Sequence, residues 1–154
     1  GMLYENSDEP YCEELAKAIT TEIRKGNRID TTTKLRNVIE KTLDFLPNNK
    51  EKKDIIKKTC QRTFQALRID VNNEFEVLYE FMEKLPGALK PGGRVAILTF
   101  HSGEDKLVKK ALKAGYKEGI YSEYARDVVR PSAQECAQNG RARSTKMRWA
   151  VKAE

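Results

Sequence analysis

The sequence has few of the residues that mark disulfide-rich, metal-bound or membrane proteins. It contains three cysteines, Cys12, Cys60 and Cys136, with no C-x-x-C pair, and His101 is its single histidine. An odd number of widely spaced cysteines argues against a disulfide framework and against a zinc site. No apolar run approaches the roughly 20 residues of a membrane span, and there is no signal-peptide pattern. We therefore expect a cytoplasmic protein with reduced thiols, no metal site and no membrane partner.

The length and charge of the chain set broad limits on what it does. With 154 residues and 39% hydrophobic residues, it suits one globular domain with at most a small appendage. An excess of 29 Lys and Arg over 23 Asp and Glu favours a polyanionic partner, although this sign is weak by itself. Gly1 before Met2 is typical of a tag-cleavage scar, so we expect the natural protein to begin at Met2.

Residues 10–60, approximately, have a purely helical pattern. Residues 1–10 are polar and irregular, and apolar residues then recur at helical spacing over 11–25 and 34–46. Thr31 stands in a run of N-cap candidates before the second of these helices, and Pro47 ends it. The lysine-rich residues 50–58 predict a short helix on a basic surface. We interpret residues 1–60 as a helical subdomain and residues 61–154 as a mixed α/β domain.

The mixed domain begins with a long apolar stripe of helical period from Phe64 to Leu85, which predicts core packing. Asp70, Asn72 and Asn73 are poor helix formers in the middle of it, and a bend or break there is expected. A Pro-Gly-Gly turn at 91–93 precedes the apolar run 95–100, which predicts a strand buried on both faces, as in parallel sheets. A helix is expected over 103–114.

The last part of the domain carries weaker signals. Val128 and Val129 indicate a short strand, and Ser132 can cap a brief helix that reaches Gln138. The alternation from Lys146 to Lys152 predicts a final strand with one covered face.

Three stretches stand out by order and spacing. Residues 63–74 read TFQALRIDVNNE, residues 100–109 read FHSGEDKLVK and residues 139–148 read NGRARSTKMR. Together with the turn LKPGGR at 89–94 and the threonine-rich helix entry at 30–35, they resemble the C-terminal half of the bacterial MraW/RsmH family. This resemblance covers nearly all of the chain. Two departures are Gly103, where Leu is usual, and Lys58-Thr59, where a His-Pro pair is usual.

The resemblance implies an S-adenosylmethionine (SAM)-dependent methyltransferase that modifies N4 of a cytosine in small-subunit ribosomal RNA. It implies a truncated Rossmann-like class I methyltransferase unit, strands five to seven, joined to the helical subdomain. The family holds SAM in its first strands and their loops, and no Gly-rich loop follows an early strand here. We therefore assign no SAM-binding residue and do not expect this chain to bind SAM alone.

Candidate substrate or RNA residues fall into three sets. His101 and Ser102 follow the buried strand, where open α/β sheets place ligands, but both also suit helix capping, with Ser102 as the N-cap. A polar helix face carries Arg62, Gln65, Arg68 and Asn72, which either bind RNA or are simply solvated. A basic run carries Arg141, Arg143, Lys146, Arg148 and Lys152, with the same two alternatives. Catalytic residues stay unassigned.

A sheet that begins at its fifth strand leaves residues 95–100 with an unpaired apolar edge, which proteins rarely tolerate. We expect a second copy of the chain, a complementary N-terminal half or a rearranged helix to cover it. Activity is then expected only when the missing half is supplied. The alternatives are a non-catalytic remnant that binds RNA or protein, and a structural or regulatory oligomer.

Overall fold

The computed structural model describes all 154 residues, which form two compact units, Gly1–Asn72 and Asn73–Glu154. The helices are α1 (Met2–Ser7), α2 (Cys12–Arg24), α3 (Thr32–Thr42), α4 (Lys50–Asn72), α5 (Glu74–Ala88), α6 (Ser102–Lys117) and α7 (Ala133–Gln138). The strands are β1 (Arg94–Thr99), β2 (Tyr121–Tyr124) and β3 (Lys146–Lys152), and a 3₁₀ turn spans Gly140–Ser144. None of the helices has the length and apolar character that a bilayer crossing requires.

The first unit is entirely helical, and its core joins α1, α2, α3 and α4. Leu15, Ile39 and Leu43 are fully buried at its centre, with Leu35 beside them. The predicted helices α2 and α3 are confirmed, and so is the cap, because the Thr31 hydroxyl accepts a hydrogen bond from the Lys34 amide.

Residues 1–10 are not irregular as expected, since α1 occupies most of them. Leu3 is buried in the core of the unit, and the Asn6 side chain donates to the Ala66 carbonyl of α4 at 3.1 Å. Glu9 is fully buried, and its carboxylate accepts from the Tyr11 amide at 3.0 Å. These contacts with distant residues stabilise a segment whose local sequence gives no helical period.

Helix α4 is longer than predicted and contains both residues 60 and 61, where the sequence suggested a domain boundary. No Gly or Pro interrupts residues 50–72, so the predicted short helix and the following helix are continuous. The expected bend or break is found as a break at Asn73, between the end of α4 and the start of α5. Asn73 has a left-handed φ of 49°, which Asn tolerates better than most residues. The two units divide beside this residue.

The second unit is built on a three-stranded sheet of order β1-β3-β2. Strand β3 lies in the middle and is antiparallel to both neighbours, with Arg94 opposite Val151 and Tyr124 opposite Ala150. Consequently β1 and β2 run in the same direction, and α6 connects them as the crossover that such strands need. Within the chain, the outer edge of β1 pairs with no strand.

Only one face of this sheet is covered. Val95 and Ile97 of β1 pack with Val108 and Leu112 of α6. On the opposite face, Leu98 is 57% exposed. The prediction that residues 95–100 are buried on both faces in a parallel arrangement is therefore wrong for this chain. The reason is that β1 pairs antiparallel with β3 and carries helices on a single side.

The remaining elements are partly as expected. The final strand and the brief helix are confirmed, with the Ser132 hydroxyl accepting from the Glu135 amide. Val129 forms only an isolated bridge with Met147. Strand β2 was not predicted. Its Tyr121 is only 3% exposed, because its ring packs against Gly115, a position with no side chain.

Gly115→Ala tests this packing. A Cβ at residue 115 would lie 2.5 Å from two ring carbons of Tyr121, closer than real contacts allow. Overpacking costs about 1–3 kcal/mol, which exceeds the gain of up to about 1 kcal/mol from replacing a helical glycine. We expect a lower free energy of unfolding in urea. Gly87→Ala is the matched control, since no atom lies near its Cβ position, and it should stabilise; equal effects of both changes would contradict the packing.

Candidate functional site

The junction between β1 and α6 is organised by His101. Its Nδ1 accepts from the Glu104 amide at 3.4 Å, and the Glu104 carboxylate accepts from the Phe100 amide at 3.0 Å. His101 is therefore the N-cap of α6, whereas the sequence assigned that role to Ser102. Ser102 is the first residue of the helix and is exposed. The reciprocal bonds hold both ring and carboxylate in place.

Two residues from the start of α5 complete the surroundings of His101. The Phe75 ring meets the imidazole edge-on, with centroids 5.9 Å apart. Ligand atoms of Glu74, His101 and Glu104 all lie within 4.8 Å of one another. Such a set has the chemistry to bind a divalent cation. However, an Nδ1 that accepts an amide hydrogen leaves the ring proton on Nε2, which lies 3.4 Å from Glu104 Oε1. This tautomer opposes metal ligation.

Gly103 allows the close approach of Phe75 to this junction. A Cβ at residue 103 would lie 2.7 Å from Phe75 Cζ and 3.2 Å from His101 Nδ1. The departure from Leu at this position therefore has a steric reason, because the Phe75 ring occupies the space that a side chain would need.

Arg148 lies in the core of the second unit instead of on a basic surface. It is 5% exposed, and its guanidinium donates to both carboxylate oxygens of Asp105, at 2.7 and 3.1 Å. This hydrogen-bonded pair lowers the pKa of Asp105 from its usual value, although partial burial opposes the shift. Arg148 was grouped with RNA-binding candidates, but here its charge is engaged by Asp105. The pair, 43 positions apart in sequence, has no local sequence signal.

The rest of the predicted basic run is divided between two elements. Arg141 and Arg143 are exposed on the 3₁₀ turn, whose start is capped by the Asn139 side chain at the Arg141 amide. Lys146 and Lys152 lie on β3 and are partly buried. Arg141 and Arg143 therefore keep the exposure that RNA contact requires, and Arg148 does not.

The predicted polar face of α4 is present in the first unit. Arg68 and Asn72 are exposed, and the Asn72 amide donates to the Arg68 carbonyl at 2.9 Å. Gln65 is partly buried on the same face. Arg62 instead lies 3.8 Å from the buried carboxylate of Glu9. Arg62 thus helps to neutralise a buried charge, and three of the four predicted residues share the polar face.

Two glycine-containing places next to β1 can be compared with the Gly-rich ligand loop of open α/β folds. The strand-to-helix junction between β1 and α6 contains one glycine, Gly103, and the space beside it is filled by the Phe75 ring. The turn at Gly92 and Gly93 leads into β1 and precedes no helix. A Gly-rich loop that brings backbone amides to a ligand is thus absent from both places.

Comparisons with known proteins identify relatives that match the whole chain. The sequence profile of the MraW methylase family matches residues 1–153. A relative from Agathobacter rectalis, "Ribosomal RNA small subunit methyltransferase H 1", is 90% identical over all 154 residues, which are 44% of its own length. The "Ribosomal RNA small subunit methyltransferase H 1" of Lachnoclostridium phytofermentans is 71% identical, over 42% of its own length. The "Ribosomal RNA small subunit methyltransferase H 2" of Alkaliphilus metalliredigens is 60% identical, over 44% of its own length.

A mixed helical unit with a small antiparallel sheet and this motif set defines a methyltransferase-family domain. The chain belongs to the MraW methylase family, as its motifs predicted. It spans less than half the length of the curated relatives that it matches. From the order of the motifs, we predict that the chain corresponds to the C-terminal half of these relatives.

Asp105→Asn tests the ion pair. Losing one partner of a largely buried pair costs on the order of 3 kcal/mol, so we expect a clear loss of unfolding free energy at pH 7. Because the folded pKa of Asp105 lies below its ordinary 3.8, the pair stabilises above that pH and is lost as pH falls through the folded pKa. Urea unfolding from pH 6 to pH 2 should show a weaker acid dependence in the variant. Asp127→Asn, an exposed control, should change neither quantity.

Gly103→Leu tests the steric argument at the junction. The new side chain would collide with Phe75, so we expect destabilisation of about 1–3 kcal/mol, typical of overpacking. Phe75→Leu added to it should recover most of that loss, although Phe75→Leu alone destabilises by leaving a cavity. A double-mutant cycle in urea measures the coupling. Additive effects would show that the two positions do not share this space.

Proposed function

We propose that this chain is one part of a SAM-dependent methyltransferase for small-subunit ribosomal RNA and that a complementary segment provides the SAM site. The observation that carries the proposal is the family match over residues 1–153. The relatives' names state the RNA substrate, and the chain covers only 44% of the 90%-identical relative. In this proposal, its sheet is a truncated Rossmann-like unit, and it is inactive alone.

The exposed side of β1 supports a missing partner. Its outer edge has no strand beside it, and its open face presents Leu98 and, just beyond the strand, Phe100, which is 54% exposed. An unpaired edge next to exposed large apolar side chains favours association. The complementary segment would add a strand to this edge. A second copy of the chain could also do so, which is the alternative of a non-catalytic remnant that oligomerises.

The residues proposed to contact RNA are those that the geometry leaves accessible. In the first unit they are Gln65, Arg68 and Asn72. In the second unit they are Ser102, Arg141 and Arg143, with His101 proposed as a wall of the substrate pocket. Arg62 and Arg148 are assigned structural roles beside Glu9 and Asp105.

The test adds the complementary segment that is proposed to provide the SAM site. The segment of the Agathobacter rectalis relative that lies outside the match is produced separately and mixed with this chain. Transfer of labelled methyl from SAM to small-subunit RNA is then measured. We expect activity only in the mixture and no heat of SAM binding to the chain alone in calorimetry. Tight SAM binding by the chain alone, or an inactive mixture whose two components form a stable complex, would contradict the proposal.

A charged substitution on the open sheet face tests the edge. Leu98→Glu should prevent association, because a carboxylate would be buried there, and so abolish activity of the mixture. It should leave the stability of the free chain nearly unchanged, since Leu98 is largely exposed. Val77→Glu is the matched control, because Val77 is 61% exposed on α5 of the same unit. Light scattering after gel filtration distinguishes a complex with the added segment from a homodimer.

A further inference from the structure

Helix α6 carries a continuous face of lysines that the candidate site does not include. The five lysines are exposed, each has another lysine three or four residues away, and no acidic residue lies among them. They are Lys106, Lys109, Lys110, Lys113 and Lys117. Val108 and Leu112, on the opposite side of the helix, are fully buried in the core. The lysine face, as we call it, therefore points away from the body of the second unit.

Some basic side chains elsewhere in the chain pair with a carboxylate four residues away, as Lys34 does with Asp30, Arg36 with Glu40, and Lys84 with Glu80. None of the five α6 lysines forms an ion pair. Like charges three and four residues apart on a helix repel one another. Folding alone does not require such a face, and a bound polyanion would relieve the repulsion.

The acidic groups near this helix balance only part of its charge. Asp105 is hydrogen-bonded to Arg148 and also attracts Lys109. Glu83 and Glu118 line a groove of about 800 Å³ together with Lys106 and Lys110. Lys109, Lys113 and Lys117 are not part of that groove. These three, at spacings of four, form a line of exposed lysines along the helix, in which Asp105 partly compensates Lys109.

We propose that the lysine face of α6 binds the sugar–phosphate backbone of RNA; this rests on the proposed function, since RNA is the substrate of the named relatives. From residue 106 to 117 the helix extends about 16 Å at 1.5 Å per residue, enough to follow several phosphates. Lysine ammonium groups act as point charges that hold phosphates without reading bases. Because His101 is the N-cap of α6, the lysine face starts close to the candidate site and would position RNA there.

The test uses the full chain with Lys109→Gln, Lys113→Gln and Lys117→Gln together. Binding of a fluorescein-labelled small-subunit RNA fragment is followed by anisotropy at several salt concentrations. Each phosphate contact contributes about 0.7–0.9 to the slope of log K against log salt. We therefore expect the slope to fall by about 2–3 and the affinity at low salt to fall at least tenfold. Thermal melting checks that the variant is folded.

The matched control removes the same charge elsewhere. Lys17→Gln, Lys25→Gln and Lys41→Gln change three exposed lysines of the first unit and should leave the slope nearly unchanged. Equal effects of both triple variants, or no RNA binding by the unmodified chain, would overturn the proposal. A competition experiment adds polyglutamate or a neutral polymer to the RNA complex. Displacement of the RNA by polyglutamate at equal charge concentration, but not by the neutral polymer, would indicate an acidic protein partner. That result would also overturn the RNA proposal.

Methyl transfer separates this proposal from the proposed function. In the mixture with the complementary segment, the α6 triple variant should raise KM for RNA, because it loses backbone contacts. It should leave kcat nearly unchanged. An inactive mixture together with the expected change in salt slope would refute the methyltransferase role and leave RNA binding by α6 intact. An active mixture with unchanged slope and KM in the variant would refute the α6 proposal alone.

Discussion

The ion pair between Arg148 and Asp105 fixes the geometry on which the second unit depends. Arg148 projects from the middle strand of the sheet, and Asp105 lies in the first turn of the crossover helix. Since the same turn is capped by His101, the pair sets where the candidate site lies relative to the sheet. A buried guanidinium needs a fully engaged partner, and the bidentate carboxylate meets that need. Arg148, which the sequence pattern grouped with possible RNA contacts, therefore has a structural role.

The junction beyond β1 depends on complementary volumes at residues 75 and 103. The large ring of Phe75 packs against the imidazole of His101, and the absence of a side chain at Gly103 leaves room for that ring. The imidazole keeps one nitrogen as an acceptor for the Glu104 amide. Its orientation and tautomer are therefore set by packing and capping before any ligand arrives, which is what preorganisation of a binding site requires.

The chain combines features of a self-supporting fold with features that call for partners. Its two cores bury Leu15, Ile39 and Leu43 in one unit and Val108 and Leu112 in the other. By contrast, β1 keeps an open edge and an open apolar face, and α6 carries an unpaired row of lysines. Apolar edges favour protein and lysine rows favour polyanions, so a complementary segment and RNA would use different surfaces of the second unit.

Local sequence determined the elements whose signals lie within a few residues: the helices α2 and α3 with the Thr31 cap, the helix break at Asn73, and the alternating strand β3. The family, too, followed from its motifs. The tertiary structure alone decided that α1 is helical, that β2 exists, and which face of the sheet is covered. It also decided that Arg148 is buried, because pairing with Asp105 43 positions away leaves no local trace. Periodicity encodes how a segment can fold, whereas strand direction and charge partners depend on residues that only the folded chain brings together.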